Sequence, residues 1–310
     1  MNTQTILDQM ILVVLNITLW QGRKALHSGD LALNGIDVDK LPPGTLATLG
    51  SKRIISPDAV KNFMSLKRQA MKLCLQNGVR FGGDGYAIPR GKVDSLIFEL
   101  KRLKEEFETA KAKFMSVYEE EVEKWIDSNP PEWAAVIRAA VDTPKHIKKV
   151  LSFKYAALEV KAPVGIEECG LDDEVDSLYG QLCHEVRVVA RQAYENSFVG
   201  KQEITRKTLR PIKAIRGKLT GMLFLDPSIA ETIQAIDDTL NKLPDQGVIR
   251  GTDLNMVAGL VGRQLANMGR IVADELLVAE DGNEEAPEVI PAEIIVSANT
   301  GKVAPITWDF

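Results

Sequence analysis

The spacing of hydrophobic positions changes along the chain, and each change marks an element. Over 10–20, MILVVLNITLW, the residues Val13, Leu15, Ile17 and Leu19 alternate with Val14, Asn16, Thr18 and Trp20. A period of two in apolar residues predicts a mostly buried strand. A loop with Gly and Pro follows over 27–50. Ser56-Pro57-Asp58 then predicts a helix start, with Ser56 as N-cap and Pro57 at the first helical position. Phe63, Leu66, Ala70 and Leu73 form its apolar stripe, and Gly78 ends it. Residues 79–81 and 86–88 are short apolar runs around Gly82-Gly83-Asp84-Gly85, which predicts a β-hairpin.

The most regular signal starts near Gly91. Val93, Leu96, Leu100, Leu103, Phe107, Ala110, Phe114 and Val117 are spaced 3, 4, 3, 4, 3, 4, 3. Such strict alternation predicts a coiled-coil seam on a helix of about 35 residues, roughly 50 Å long. SNPPEW at 128–133 stops it. Short helices are expected over 132–141 and 144–151. A strand is expected over 152–160, where Phe153, Tyr155 and Ala157 alternate against Lys154. A second long helix is expected over 171–198, with Leu171, Val175, Leu178, Leu182, Val186, Val189 and Ala193 on one face. Its seam makes it the expected antiparallel partner of the first long helix. Helices at 203–222, 228–243 and 252–278 complete the body, punctuated by Pro227, Pro244 and Gly247. No internal repeat is visible.

The fold class expected is therefore mainly α with a small β element: long antiparallel coiled-coil helices, a C-terminal helical bundle and an acidic tail. The expected parts are an α+β region over 1–90, a stalk over 91–200 with short elements inserted at 132–162, a helical bundle over 201–278, and a tail over 279–310.

Composition narrows the setting. The chain has 310 residues, 45% of them hydrophobic, enough for one large domain or two smaller ones. Three cysteines are too few and too scattered for a disulfide framework, so a reducing, cytoplasmic location is expected. The apolar run at 10–20 lacks a basic start and is too short to cross a bilayer, so no membrane association is expected. The net charge is −5, but residues 274–310 hold nine acidic residues and one lysine, net −8, which leaves +3 on the rest. A solvated, disordered tail is one reading of that segment, and a docking or self-masking tail is another. Within it, AEIIVS at 292–297 has strand character through Ile294, Ile295 and Val296, and the sequence ends on Trp308-Asp309-Phe310. A strand with terminal aromatics suits a docking peptide that pairs with an edge in trans, or an extra strand on the chain's own body.

Candidate chemistry fails on spacing. RFGGDGYAIPRGKVDSL at 80–96 has the glycines of a phosphate cradle, but five residues separate Gly85 from Gly91 and Val93 follows Lys92 where a hydroxyl is required. Pro89 removes one amide from that loop. A dinucleotide fingerprint would need glycine where Ile88 stands. HEVRV at 184–188 lacks the second histidine of a zinc helix, and Cys183 and His184, being adjacent, point about 100° apart on a helix. DPS at 226–228 is a helix start. Glu119-Glu120-Glu121 is a solvated helix face. No catalytic residue, metal ligand or cofactor is assigned, and the chain is not expected to be an enzyme.

One basic segment stands out, TRKTLRPIKAIRGKLTGMLFLDPS at 205–228. Leu209, Ile212, Ile215, Leu219 and Met222 share a helical face, while Arg206, Lys207, Arg210, Lys213 and Lys218 supply five cations. These are candidates for a solvated or internally paired face, for contact with a protein partner, or for sequence-blind contacts to nucleic-acid phosphates. Aromatic residues for base stacking are absent from between them.

LGSKRIISPDA, RFGGDGYAIPRGK, GLDDEVDSLYGQL and LRPIKAIRGKLTGMLFLDP, in this order, resemble the bacterial family known as domain of unknown function 3150. The resemblance runs from about Ile11 to the mid-260s, and the acidic tail lies beyond it. It carries over no catalytic residue. It implies a genomic context: a mobile element, with a MoxR-like AAA+ ATPase and a von Willebrand factor A protein encoded nearby. The expected function is a non-enzymatic structural or adaptor protein that forms a homo-oligomer or joins such an ATPase complex. The alternative is a nucleic-acid-binding accessory protein using the 206–218 face.

Overall fold

Strand β1 (Met10–Thr18) sits at the centre of a four-stranded antiparallel sheet. The structure, a computed structural model, describes residues 3–32, 35, 37–38, 41–163 and 169–270. β1 pairs on one side with β5 (Gly85–Pro89), Met10 opposite Pro89, and on the other with β6 (Ser152–Leu158), Thr18 opposite Ser152. β4 (Val79–Phe81) closes the hairpin with β5, so the order is β4-β5-β1-β6. Gly82 and Gly83 turn the hairpin with φ of 58° and 75°, a region open to glycine at little cost.

The sheet separates two apolar cores. Val13, Ile17, Tyr86, Ile88 and Phe153 face one of them. Met10, Val79, Phe81 and Ala87 face the other. Both faces of the sheet are thus covered in part, which explains why the first half of β1 is apolar at nearly every position. Asn16 and Thr18, near its far end, are exposed.

The first core is filled by α3 (Pro57–Asn77) and α4 (Arg90–Asp127). Ser56 caps α3, accepting from the Asp58 amide at 3.3 Å, with Pro57 in its first turn as the sequence predicts. The short hairpin between them returns α4 antiparallel to α3. Phe63 meets Phe107 at 5.1 Å and Phe114 at 5.7 Å between ring centroids, and Phe107 reaches Phe153 of β6 at 5.6 Å. These tilted contacts suit aromatic quadrupoles. α5 (Ala134–Ala140) and α6 (Pro144–Val150) add Ile137 and Ile147 to the same core.

The second core takes α1 (Thr3–Leu7), α7 (Leu171–Ser197), α8 (Arg210–Gly221), α9 (Ser228–Asn241) and α10 (Thr252–Gly259). Two small ribbons complete the description. β2 (Arg23–Ala25) pairs antiparallel with β3 (Ser51–Arg53), and β7 (Glu203–Ile204) with β8 (Ile249–Arg250). A short helix α2 (Ser28–Ala32) lies between β2 and β3.

The molecule is mainly α with a small antiparallel sheet, as the periodicities predict. Three expectations are corrected. The 93–117 seam does not pair with the 171–198 helix: α4 buries Leu96, Leu100, Leu103, Phe107 and Phe114 in the α3 core, whereas α7 buries Val175, Leu178, Leu182 and Val186 in the other. Helix 203–222 begins at Arg210, because Glu203 and Ile204 form β7 and 206–209 is a 3-10 turn. The 252–278 helix stops being regular after Gly259 and gives way to a π turn and a 3-10 turn. There Gly262 lies against the Tyr194 ring, so close that a Cβ would sit 2.7 Å from it, and Gly269 takes a φ of 69°. No described helix is long and apolar enough to cross a membrane.

Candidate functional site

The basic segment divides into a buried stripe and an exposed face. Leu209, Ile212, Ile215, Leu219 and Met222 are buried in the second core. Arg206, Lys207, Arg210 and Lys213 are exposed. Arg206 is committed to the chain, donating from Nη2 to the Pro244 carbonyl. The side chains of Lys207, Arg210 and Lys213 have no hydrogen bond or ion pair among the described residues. Their spacing of three and three sets them along one side of the 3-10 turn and the first turn of α8. Arg216, one turn on, is instead held by Asp237 of α9 through two bonds of 2.5 and 2.7 Å.

Lys218 departs from the expected face and is corrected here. It is 8% exposed, donates to the Leu75 carbonyl of α3 at 2.7 Å and forms an ion pair with Glu185 of α7. The helical wheel contains the signal: at 100° per residue Lys218 lies about 60° from Ile215 and about 140° from Lys213, on the buried side.

Around Lys218 the two cores are tied together. Glu185 also accepts from the Gln181 side chain at 2.9 Å and from the Arg80 amide of β4 at 3.4 Å. Lys92, in the first turn of α4, donates to the Gly217 carbonyl of α8 at 2.5 Å. Gly221 lets its stem pass, since a Cβ there would lie 2.9 Å from the Lys92 Cε. Burial pushes the Lys92 pKa down, and the nearby Lys218 charge adds to that. Burial lowers Lys218 as well, opposed by Glu185. The cluster is a bridge between α3, α4, α7 and α8, with each ammonium bonded to a backbone carbonyl.

The motifs set aside on spacing have plain structural places. Asp226 accepts from the Ser228 amide at 2.8 Å and its hydroxyl at 2.5 Å, which starts α9, and Tyr179 adds a 2.7 Å contact to the same hydroxyl. Cys183 is buried, with its thiol pushed up by burial, and His184 is exposed, so the two do not share a face. Among the described residues no three His, Cys, Asp or Glu side chains are grouped to hold a metal. Ile294, Ile295, Val296, Trp308, Asp309 and Phe310 lie outside the described residues.

Sequence periodicity missed one feature with open bonding capacity, the outer edge of β6. Among the described residues β6 is an edge strand, with β1 on one side and no strand on the other. Among the described residues, no backbone bond beyond the β1 ladder reaches Ser152–Leu158. Lys154, Ala156, Ala157 and Leu158 are exposed, Leu158 by 49%. Edge strands are commonly blunted by bulges, prolines or several charges; β6 has one lysine and two alanines at its outer end. A period of two shows that a strand exists, but not which strands flank it.

The profile of the family described as "Protein of unknown function (DUF3150)" matches residues 7–265. No curated protein and no solved structure matches the chain.

Proposed function

The chain belongs to the DUF3150 family, and we propose that it is a non-enzymatic structural or adaptor protein that works by joining other chains along the open edge of β6. The observation that carries this reading is the outer edge of Ser152–Leu158, unpaired among the described residues, with small residues and an exposed leucine at its end. Such an edge accepts an extended segment through main-chain bonds, and neighbouring side chains add selectivity. The polar cluster between the cores supports the same reading: buried Lys218 and half-buried Lys92 and Glu185 are spent on joining helices. The antiparallel pairing of α3 with α4 and the helices α7–α10 then serve as a rigid coiled-coil and bundle framework behind that edge. The partners are further copies of the chain or an AAA+ ATPase with its von Willebrand factor A protein, in the cytoplasm.

The test is sedimentation of the full chain, alone and with the purified neighbouring ATPase and von Willebrand factor A proteins. The expected result is a complex in at least one mixture, lost when Ala156→Lys and Leu158→Lys place charges on the exposed edge without touching either core. A complex that survives both substitutions, or no complex in any mixture, contradicts the proposal.

A second reading rests on Lys207, Arg210 and Lys213, three exposed cations with no carboxylate partner among the described residues. They suit sequence-blind contact with nucleic-acid phosphates. Under this reading a gel shift at low salt is abolished by changing all three to Glu, and the wild-type affinity falls steeply with salt. No shift by the wild-type chain at low salt removes it.

A further inference from the structure

The β2–β3 ribbon contains two like-charge cross-strand pairs, and their surroundings differ. Arg23 stands directly opposite Arg53, and Lys24 opposite Lys52. Directly opposed residues of an antiparallel pair share a face, with Cβ atoms about 4.5–5.5 Å apart, and like charges there are destabilising. On the lysine face the repulsion is neutralised. Lys24 pairs with Asp142 at 2.7 Å and Lys52 with Asp30. On the arginine face nothing neutralises it: neither guanidinium has a hydrogen bond or ion pair among the described residues.

The ribbon is also held rigidly at both strands. The Trp20 indole donates to Asp142 at 2.8 Å just before β2, and the Trp125 indole of α4 donates to the Arg53 carbonyl at 3.1 Å. Gly22, at φ 63°, packs so tightly that a Cβ would lie 2.5 Å from Ile55, and its carbonyl accepts from the Ile54 amide at 2.9 Å. The two arginine stems therefore rise from a fixed base. The two guanidinium forks stem from one face of that ribbon with no carboxylate partner among the described residues, an arrangement open to an oxyanion.

We propose that Arg23 and Arg53 form a clamp for a phosphate monoester. The charge match selects the ligand class. Two guanidiniums carried by one cross-strand pair match a monoester, which carries about −1.5 to −2 at neutral pH, whereas a phosphodiester offers one charge per group spread along a backbone. Planar forks reach two oxygens each, so a terminal phosphate with three free oxygens fits better than a diester with two. The clamp is independent of the β6 edge and stands or falls separately from it.

The experiment is calorimetric titration of the full chain, at matched ionic strength, with inorganic phosphate, O-phosphoserine and adenosine 5′-monophosphate, and with an oligonucleotide lacking terminal phosphates. The wild-type chain binds at least one of the three phosphate compounds and prefers them, per phosphate, to the oligonucleotide; which compound is tightest distinguishes a free anion, a phosphorylated side chain and a nucleotide as the source. Arg23→Gln and Arg53→Gln each weaken that binding at least tenfold, and Arg53→Lys falls between. Without ligand, at low salt, Arg23→Gln melts no lower than wild type, because it removes a repulsion. The proposal is overturned by no phosphate binding in the wild-type chain, by binding unchanged in both glutamine variants, by preference for the oligonucleotide, or by an Arg23→Gln variant that melts lower without ligand.

Discussion

Lys218 and Asp142 show how single polar side chains hold this molecule together. Lys218 is buried with Glu185, and breaking one half of such a pair leaves an uncompensated charge. Lys218→Met is expected to cost about 3–5 kcal/mol in denaturant unfolding, while Lys218→Met with Glu185→Leu recovers part of the loss. A double variant no more stable than the single one would show that Glu185 draws no support from Lys218. Asp142 gathers Trp20, Lys24 and, at 4.0 Å, His146. Burial pushes its carboxyl up, but the bonds from Lys24 and Trp20 and the Lys24 charge outweigh that and hold its pKa below the usual value. Asp30 is held low by Lys52 and the His27 amide. A depressed carboxylate pKa contributes stability that is complete above the unfolded value, about 4, and is lost as pH falls through the folded value. Stability should therefore fall on acidification below about pH 4, and Asp142→Asn should start lower at pH 7 yet lose less over that range. Equal acid limbs in the two proteins would contradict this. At this scale the sequence was partly legible. Ser56 and Pro57 announce their cap, while Lys218 is ambiguous in a list of cations and resolved by its angle to Ile215.

At the scale of elements, periodicity located β1, the glycine hairpin, α3, α4 and β6, and it missed the partners. A 3–4 seam states that a face is buried, not what buries it. The short hairpin after α3 decides that α4 returns along α3, as the Phe63–Phe107 and Phe63–Phe114 contacts show. The three-residue strands β2 and β3 have too few residues for any period to be visible. Phe107→Asp, in the middle of the aromatic cluster, is expected to unfold the chain or cost more than about 4 kcal/mol, whereas Val189→Asp stays within about 0.5 kcal/mol, because Val189, expected on the α7 seam, is exposed and Ala190 is buried instead. Reversal of that order in melting experiments would place the α4 seam outside the core. Gly78 gives a second test. It ends α3 in an extended conformation, φ −151°, and is required because a Cβ would lie 2.2 Å from the Ala87 carbonyl oxygen. Gly78→Ala should cost about 1–3 kcal/mol, as overpacking does, by forcing β4 from β5. Gly83→Asn, at a left-handed turn with open space around it, should cost much less. Similar losses in the two would show that no close approach operates at Gly78.

For the molecule as a whole, two cores share one small sheet, and among the described residues the sheet's outer strand β6 has no neighbour beyond β1. The existence of an α-rich body with a small sheet was legible from alternating periods. The sharing of the sheet was not, because it depends on which helices lie on which face. Nor was the open edge, because strand order is a long-range property. The claim at the centre of this account is that β6 is where other chains attach. Hydrogen–deuterium exchange on the full chain, free and in the complex isolated by sedimentation, tests it most directly. Amides of Ser152–Leu158 facing away from β1 should exchange quickly in the free chain and become protected in the complex, while those of β4 at the opposite edge change little. Unchanged exchange at 152–158, with protection appearing around Lys207, Arg210 and Lys213 instead, would contradict it.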